Sequence, residues 1–156
     1  MVRRTIFLVL TFTLVSFAQK NIFSTHDIFK IKTVDKTSTS PDGKYTAYSL
    51  RVPRPFEDGS GSAYKELYLY NYADGSITPL ITGKVNVDNL SWTQDSKNVS
   101  FTSKLNEDKS SQIYIVTLDA SDTLRITDSE TSIIKYKWRP NSNQLAYIAL
   151  ENIPTS

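Results

Sequence analysis

Few residues in this chain could do chemistry, and their spacing argues against most reactions. Acyl transfer by a serine nucleophile needs a histidine beside the serine as general base. His26 is the only histidine among 156 residues, and it stands in a leader patterned as a helix surface. An α/β-hydrolase nucleophile elbow, G-x-S-x-G, needs two glycines four positions apart. The five glycines are Gly43, Gly59, Gly61, Gly75 and Gly83, and no pair has that spacing. Asp42-Gly43 and Asp58-Gly59 lack the alternating acidic ligands and closing glutamate of a calcium loop, so they read as turns. With no cysteine there is neither a disulfide framework nor a lipid-attachment thiol. The expectation is a chain with no catalytic residue, no metal and no cofactor.

What remains are surfaces that could bind. The segment from Arg51 to Tyr64 carries "RVPRP" and "DGSGS" and reads as an extended, loop-like insertion. It brings Arg51, Arg54, Glu57, Asp58 and Tyr64 into one stretch, and loops that break the rhythm of a repeat often carry contacts. Tyr68, Tyr70 and Tyr72 alternate along one predicted strand and share a face. They suit a stacking platform for sugars or bases, but packing between neighbouring sheets is the favoured reading. Glu107-Asp108 stands in a polar loop and reads as a solvated charge cluster. Asn98-Val99-Ser100 fits a glycosylation sequon inside a predicted strand.

The elements that must carry these residues announce themselves by repetition. "TSPDGKYTAY" (Thr39 to Tyr48), "WTQDSKNVSF" (Trp92 to Phe101) and "WRPNSNQLAY" (Trp138 to Tyr147) align column by column. Their turn columns read Pro41-Asp42-Gly43-Lys44, Gln94-Asp95-Ser96-Lys97 and Pro140-Asn141-Ser142-Asn143, residues that preset or tolerate turn geometry. Each turn leads into a β-prone residue, a small one and an aromatic. Leu67-Tyr68-Leu69-Tyr70 matches Ile113-Tyr114-Ile115-Val116, and each is followed by hairpin chemistry, Asp74-Gly75-Ser76 and Asp119-Ala120-Ser121-Asp122. Trp92 and Trp138 recur one repeat apart, which makes them structural.

Propeller blades have four strands and about 40–45 residues, and this unit fits that size. The predicted fold is all-β: an incomplete β-propeller of two four-stranded blades (about 34–82 and 87–127) plus half of a third (133–150). A β-sandwich is the competing all-β reading, but sandwiches do not usually repeat a four-strand unit with matched turns. Propellers close with about 4–8 blades, so the expectation is the front piece of a longer protein, with 144–150 as an unpaired edge strand.

Before the blades, residues 1–18 read as a signal peptide. Arg3 and Arg4 precede an apolar run, and Ser16-Phe17-Ala18 predicts cleavage before Gln19. The run is too short for a spanning helix of about 20 residues, so stable membrane insertion is not expected. Export to the periplasm or the extracellular space is. Arg3 and Arg4 also account for the whole excess of Lys and Arg (18) over Asp and Glu (16), leaving a neutral mature chain. Such a chain lacks the positive footprint of a nucleic-acid binder. Residues 19–33 form a leader in which Ser24 and Asp27 make an approximate capping box for a short helix.

These columns resemble the propeller repeats of the prolyl oligopeptidase family of serine peptidases, in its acylaminoacyl-peptidase and dipeptidyl-peptidase-like branch. The resemblance rests on Asp27 to Val34, on Ser40-Pro41-Asp42-Gly43-Lys44 with Ala47-Tyr48, and on Gln112-Ile113-Tyr114 with Arg125-Ile126-Thr127. It implies an exported peptidase whose catalytic α/β-hydrolase domain is missing from this sequence. The propeller would gate access for small peptides, with the 51–64 insertion at that gate. The alternative is a periplasmic propeller of the Tol-associated kind, which shares the "SPDG" unit and acts as a protein-binding module.

Overall fold

The computed structural model describes residues 24–151; the expected signal segment and its cleavage point lie outside the described residues. One helical turn, α1 (Thr25–Ile28), is followed by β1 (Thr33–Thr39), β2 (Tyr45–Val52), β3 (Tyr64–Asn71) and β4 (Ile77–Ile81). A second run holds β5 (Asp88–Trp92), β6 (Asn98–Ser103), β7 (Gln112–Thr117) and β8 (Thr123–Arg125), and a third holds β9 (Ile133–Trp138) and β10 (Leu145–Ala149). Each run is an antiparallel meander, giving sheets of four, four and two strands in sequence order. The first strands of successive sheets touch, β1 with β5 and β5 with β9, so the sheets fan out from a common inner edge. That is blade geometry, and the described residues form an incomplete propeller.

The turns explain why these strands pair in register. In the first blade Ser40 donates its hydroxyl to Asp42 Oδ1 (2.6 Å), which also accepts the Lys44 amide (3.1 Å). In the second, Asp95 Oδ1 accepts the Thr93 hydroxyl (2.7 Å) and the Lys97 amide (3.1 Å). Gly43 has φ 72°, and Ser96 takes the same left-handed conformation in the matching column at φ 59°. The third turn departs from the pattern. Its positive φ falls on Asn141 (54°), one column earlier, where an asparagine tolerates it, and Arg139 replaces the hydroxyl residue.

Alternation then sorts the faces. Leu67 and Leu69 of β3, with Ala47 of β2, pack against Val99, Phe101, Tyr114 and Val116 of the second sheet. Tyr68 and Tyr70 lie on the opposite face of β3, so the inter-sheet packing expected of the tyrosine row is supplied by leucines instead. A smaller cluster, Ile113, Ile133 and Tyr136, joins the second and third sheets. Both tryptophans serve those junctions. Trp92 Nε1 donates to the Ser38 carbonyl (2.9 Å), and Trp138 Nε1 donates to Ser100 Oγ (2.9 Å), which also accepts the Tyr136 hydroxyl (2.8 Å).

Candidate functional site

The antiparallel order puts five tight turns (40–44, 72–76, 93–97, 118–122, 139–143) at one end of the blades. At the other end gather α1 and the longer connections 53–63, 82–87, 104–111 and 126–132. The five residues of the 51–64 candidate surface and Glu107-Asp108 lie at or near that loop end, whereas Tyr72 and the Asn98 sequon lie at the turn end.

The insertion is shorter than its composition predicts. Arg51 and Val52 belong to β2 and pair with Lys65 and Tyr64, so the irregular stretch is 53–63. Pro53 and Pro55, which have no amide hydrogen for the ladder, end the strand there. Within the loop, Arg54 lies over the Tyr64 ring, its Cζ 4.4 Å from the centroid, and its Nε donates to the Ser62 carbonyl (3.2 Å). Gly61 makes room for this, because a Cβ there would sit 3.0 Å from the guanidinium carbon. The buried Tyr64 ring sends its hydroxyl to Asp58 Oδ2 (2.8 Å), and Lys84 of the inter-blade link pairs with the same carboxylate. Lys84 and then Tyr64 hold the Asp58 carboxyl below its ordinary range, while burial and the Asp58 contact raise the Tyr64 hydroxyl. Arg54, Asp58 and Tyr64 thus form one unit, and the loop is pinned to the link behind it.

Two of the five candidates stand outside that unit. Glu57 is exposed on a single 3-10 turn, Phe56–Asp58, beside Phe56 at 97% exposure. Arg51 reaches Asp35 (2.9 Å) at the head of a separate ion chain. That chain continues from Asp35 to Lys65 (3.6 Å), from Lys65 to Asp88 (2.8 Å) and from Asp88 to Lys36 (3.1 Å). It ties the inner strands of the first two blades together. Burial pushes the Asp88 carboxyl up, but Lys65 and Lys36 outweigh it and the net shift is downward.

Asp108 corrects the reading of a solvated cluster. Its side chain is only 6% exposed, accepts the Tyr114 hydroxyl and pairs with Arg125 Nη1 (2.7 Å). Burial pushes its carboxyl up, and the contacts with Tyr114 and Arg125 override that and lower it. Burial and the same contact raise the Tyr114 hydroxyl to about 12. The pairing of a loop aspartate with a strand arginine left no local sequence signal. The tyrosine face forms an open trough of about 310 Å³ with Val34, Thr37 and Thr46, and Tyr72 is 56% exposed. The side chain of His26 falls outside the described ones. Among the described residues no helix is long and apolar enough to cross a membrane.

Residues 25–136 match the model of the dipeptidyl peptidase IV (DPP IV) N-terminal region. The chain belongs to this family. It is 23% identical over 126 residues to the uncharacterized peptidase YuxL of Bacillus subtilis (strain 168), an alignment spanning 81% of this chain and 19% of that protein. A solved structure from Agrobacterium tumefaciens, assigned as TolB, aligns with TM-score 0.50 and 19% identity over 76% of this chain and 55% of its own. That likeness speaks for the propeller fold alone. The chain spans about a fifth of the curated peptidase and about half of the TolB structure.

Proposed function

We propose that this chain serves as the propeller portion of an exported serine peptidase, positioned to screen peptides before they reach a catalytic α/β-hydrolase domain outside this sequence. The observation that carries the reading is the match of residues 25–136 to the N-terminal region of dipeptidyl peptidase IV. The loop end has the character such a role requires. Phe56, Phe29 (67% exposed) and Ile28 (54% exposed) offer apolar contact to a partner domain, beside the pinned Arg54–Asp58–Tyr64 loop. A pinned loop acts as a fixed rim, and a fixed rim selects substrates by size.

The test uses the parent polypeptide, with its downstream reading frame. It should hydrolyse dipeptidyl and acylaminoacyl chromogenic substrates by a serine in its C-terminal domain, while this chain alone shows no turnover. Replacing Arg54 with alanine should raise turnover of long peptides relative to dipeptides. An unchanged ratio overturns gating by this loop, and serine-dependent turnover by the isolated chain overturns the division of labour. If the reading frame ends in further blades without a hydrolase domain, the alternative of a protein-binding propeller takes its place.

A further inference from the structure

The loop end holds a second cleft that none of the roles above uses. It opens between the 82–87 link and the start of the β6–β7 connection, with a volume of about 400 Å³. Lys84, Asn86, Asp88, Ser103, Lys104 and Ser111 line it. Ser103 shares a β6 face with Val99 and Phe101, and the residue is 2% exposed. Its hydroxyl is the one buried side-chain polar atom among the described residues with no hydrogen-bond partner. A buried hydroxyl left unpaired costs about 1–3 kcal/mol, so a cleft wall that keeps one is short of a polar partner.

The link supplies main-chain groups beside it. Lys65 donates to the Val85 carbonyl and accepts from the Val87 amide, both at 2.9–3.0 Å, in a parallel bridge. Residue 86 therefore turns its own N–H and C=O away from β3, and neither has a partner among the described residues. The cleft's charges are unequally committed. Lys84 is held by Asp58, and Asp88 by Lys65 and Lys36, whereas Lys104 is exposed with no ion pair among the described residues. One free ammonium, one unpaired hydroxyl and one free strand-like residue match the end of an extended peptide. Asp88 in the same wall disfavours a dianion.

We propose that this cleft binds the C-terminal carboxylate of a short extended peptide, with Lys104 and Ser103 on the carboxylate and the Asn86 main chain pairing with the penultimate residue. The choice of a peptide rests on the functional reading above, but the site is tested on this chain alone, so the two can fail separately. Titration of the ¹⁵N-labelled full chain with acetyl-trialanine should shift the amides of Asn86, Ser103, Lys104 and Ser111 saturably. Acetyl-trialanine amide and sodium acetate should each bind roughly tenfold or more weakly, since the first lacks the charge and the second the main chain. Lys104→Gln should weaken acetyl-trialanine by a similar factor, Ser103→Ala by less, and Lys97→Gln at the turn end not at all. Equal binding of acid and amide, tighter binding of inorganic phosphate, or shifts elsewhere on the chain would overturn the proposal. So would an absence of saturation, which assigns the Ser103 hydroxyl to water.

Discussion

The two ends of the blades are built on different principles. At the turn end, each carboxylate serves its own backbone: Asp42, Asp95 and Asp119 accept hydroxyl and amide hydrogens from residues at most two positions away. At the loop end, carboxylates reach across the molecule. Asp58 meets Lys84 from 26 positions away, Asp108 meets Arg125 from 17, and Asp88 meets Lys36 from 52. The turn end is therefore a set of local clamps, two of them joined by the Ser96 hydroxyl. The loop end is a set of long-range ties whose partners form surfaces and clefts, among them the pinned 53–63 loop and the cleft beside Ser103.

The largest effect should come from cutting a buried tie. Asp108→Ala leaves the Tyr114 hydroxyl with only a 3.3 Å contact to the Leu105 carbonyl and leaves Arg125 with the exposed Asp128 alone as its ion-pair partner. It should destabilise the chain by about 2 kcal/mol in urea unfolding. The exposed clamp variant Asp95→Ala should cost less than about 1 kcal/mol. Equal losses from the two would erase the distinction between the ends.

Ser96→Ala should fall between them. Ser96 is a turn residue that also links turns, because its buried hydroxyl accepts the Asp42 amide (3.1 Å) across the blade junction. A loss of about 1 kcal/mol is expected, and a loss no greater than that of Asp95→Ala would mean the junction bond adds nothing.

Acid should loosen the clamps gradually. The Thr117 hydroxyl, then the Ser121 amide, hold the Asp119 carboxyl at about 2. Asp42 and Asp95 are lowered by the Ser40 and Thr93 hydroxyls first and by the following amides second. All three have folded pKa values below the ordinary 3.8, so the unfolded chain binds protons first. Their stabilisation is complete above about pH 4 and fades as pH falls toward about 2. Urea midpoints that stay flat across that window would remove the clamps from the account.

Lys84→Gln should have the smallest effect. Its ammonium is exposed and its bond to Asp58 is open to salt screening, so the unfolding midpoint should barely move. The change should appear in the loop instead, as faster amide exchange in residues 58–61. A large drop in the midpoint would show that the loop supports the fold and does not merely rest on it.

The turn end was legible in the sequence because its bonds close within a few residues. "SPDGK" and "TQDSK" therefore carry in their letters nearly everything needed to form. Even there the third turn moved its left-handed residue to Asn141, a choice between two residues that both tolerate turns. The tyrosine row was legible as one face, but among the described residues the packing between sheets expected of it falls to Leu67 and Leu69. Period-2 alternation says which residues share a face and nothing about which face meets a neighbour. The insertion was legible as an interruption, yet its ends were not, because Arg51 and Val52 are paired into strand by Lys65 and Tyr64.

By itself, then, the order of residues determined the four-strand unit, its recurrence and the local turns. These depend on alternation and on hydrogen bonds between near neighbours. Only the tertiary structure decided that Asp108 would be buried on Arg125, that Lys84 would anchor Asp58, and that Ser103 would face a cleft without a partner. Those outcomes depend on which distant segments the stacking of sheets brings within a few ångströms, and no spacing along the chain records that distance.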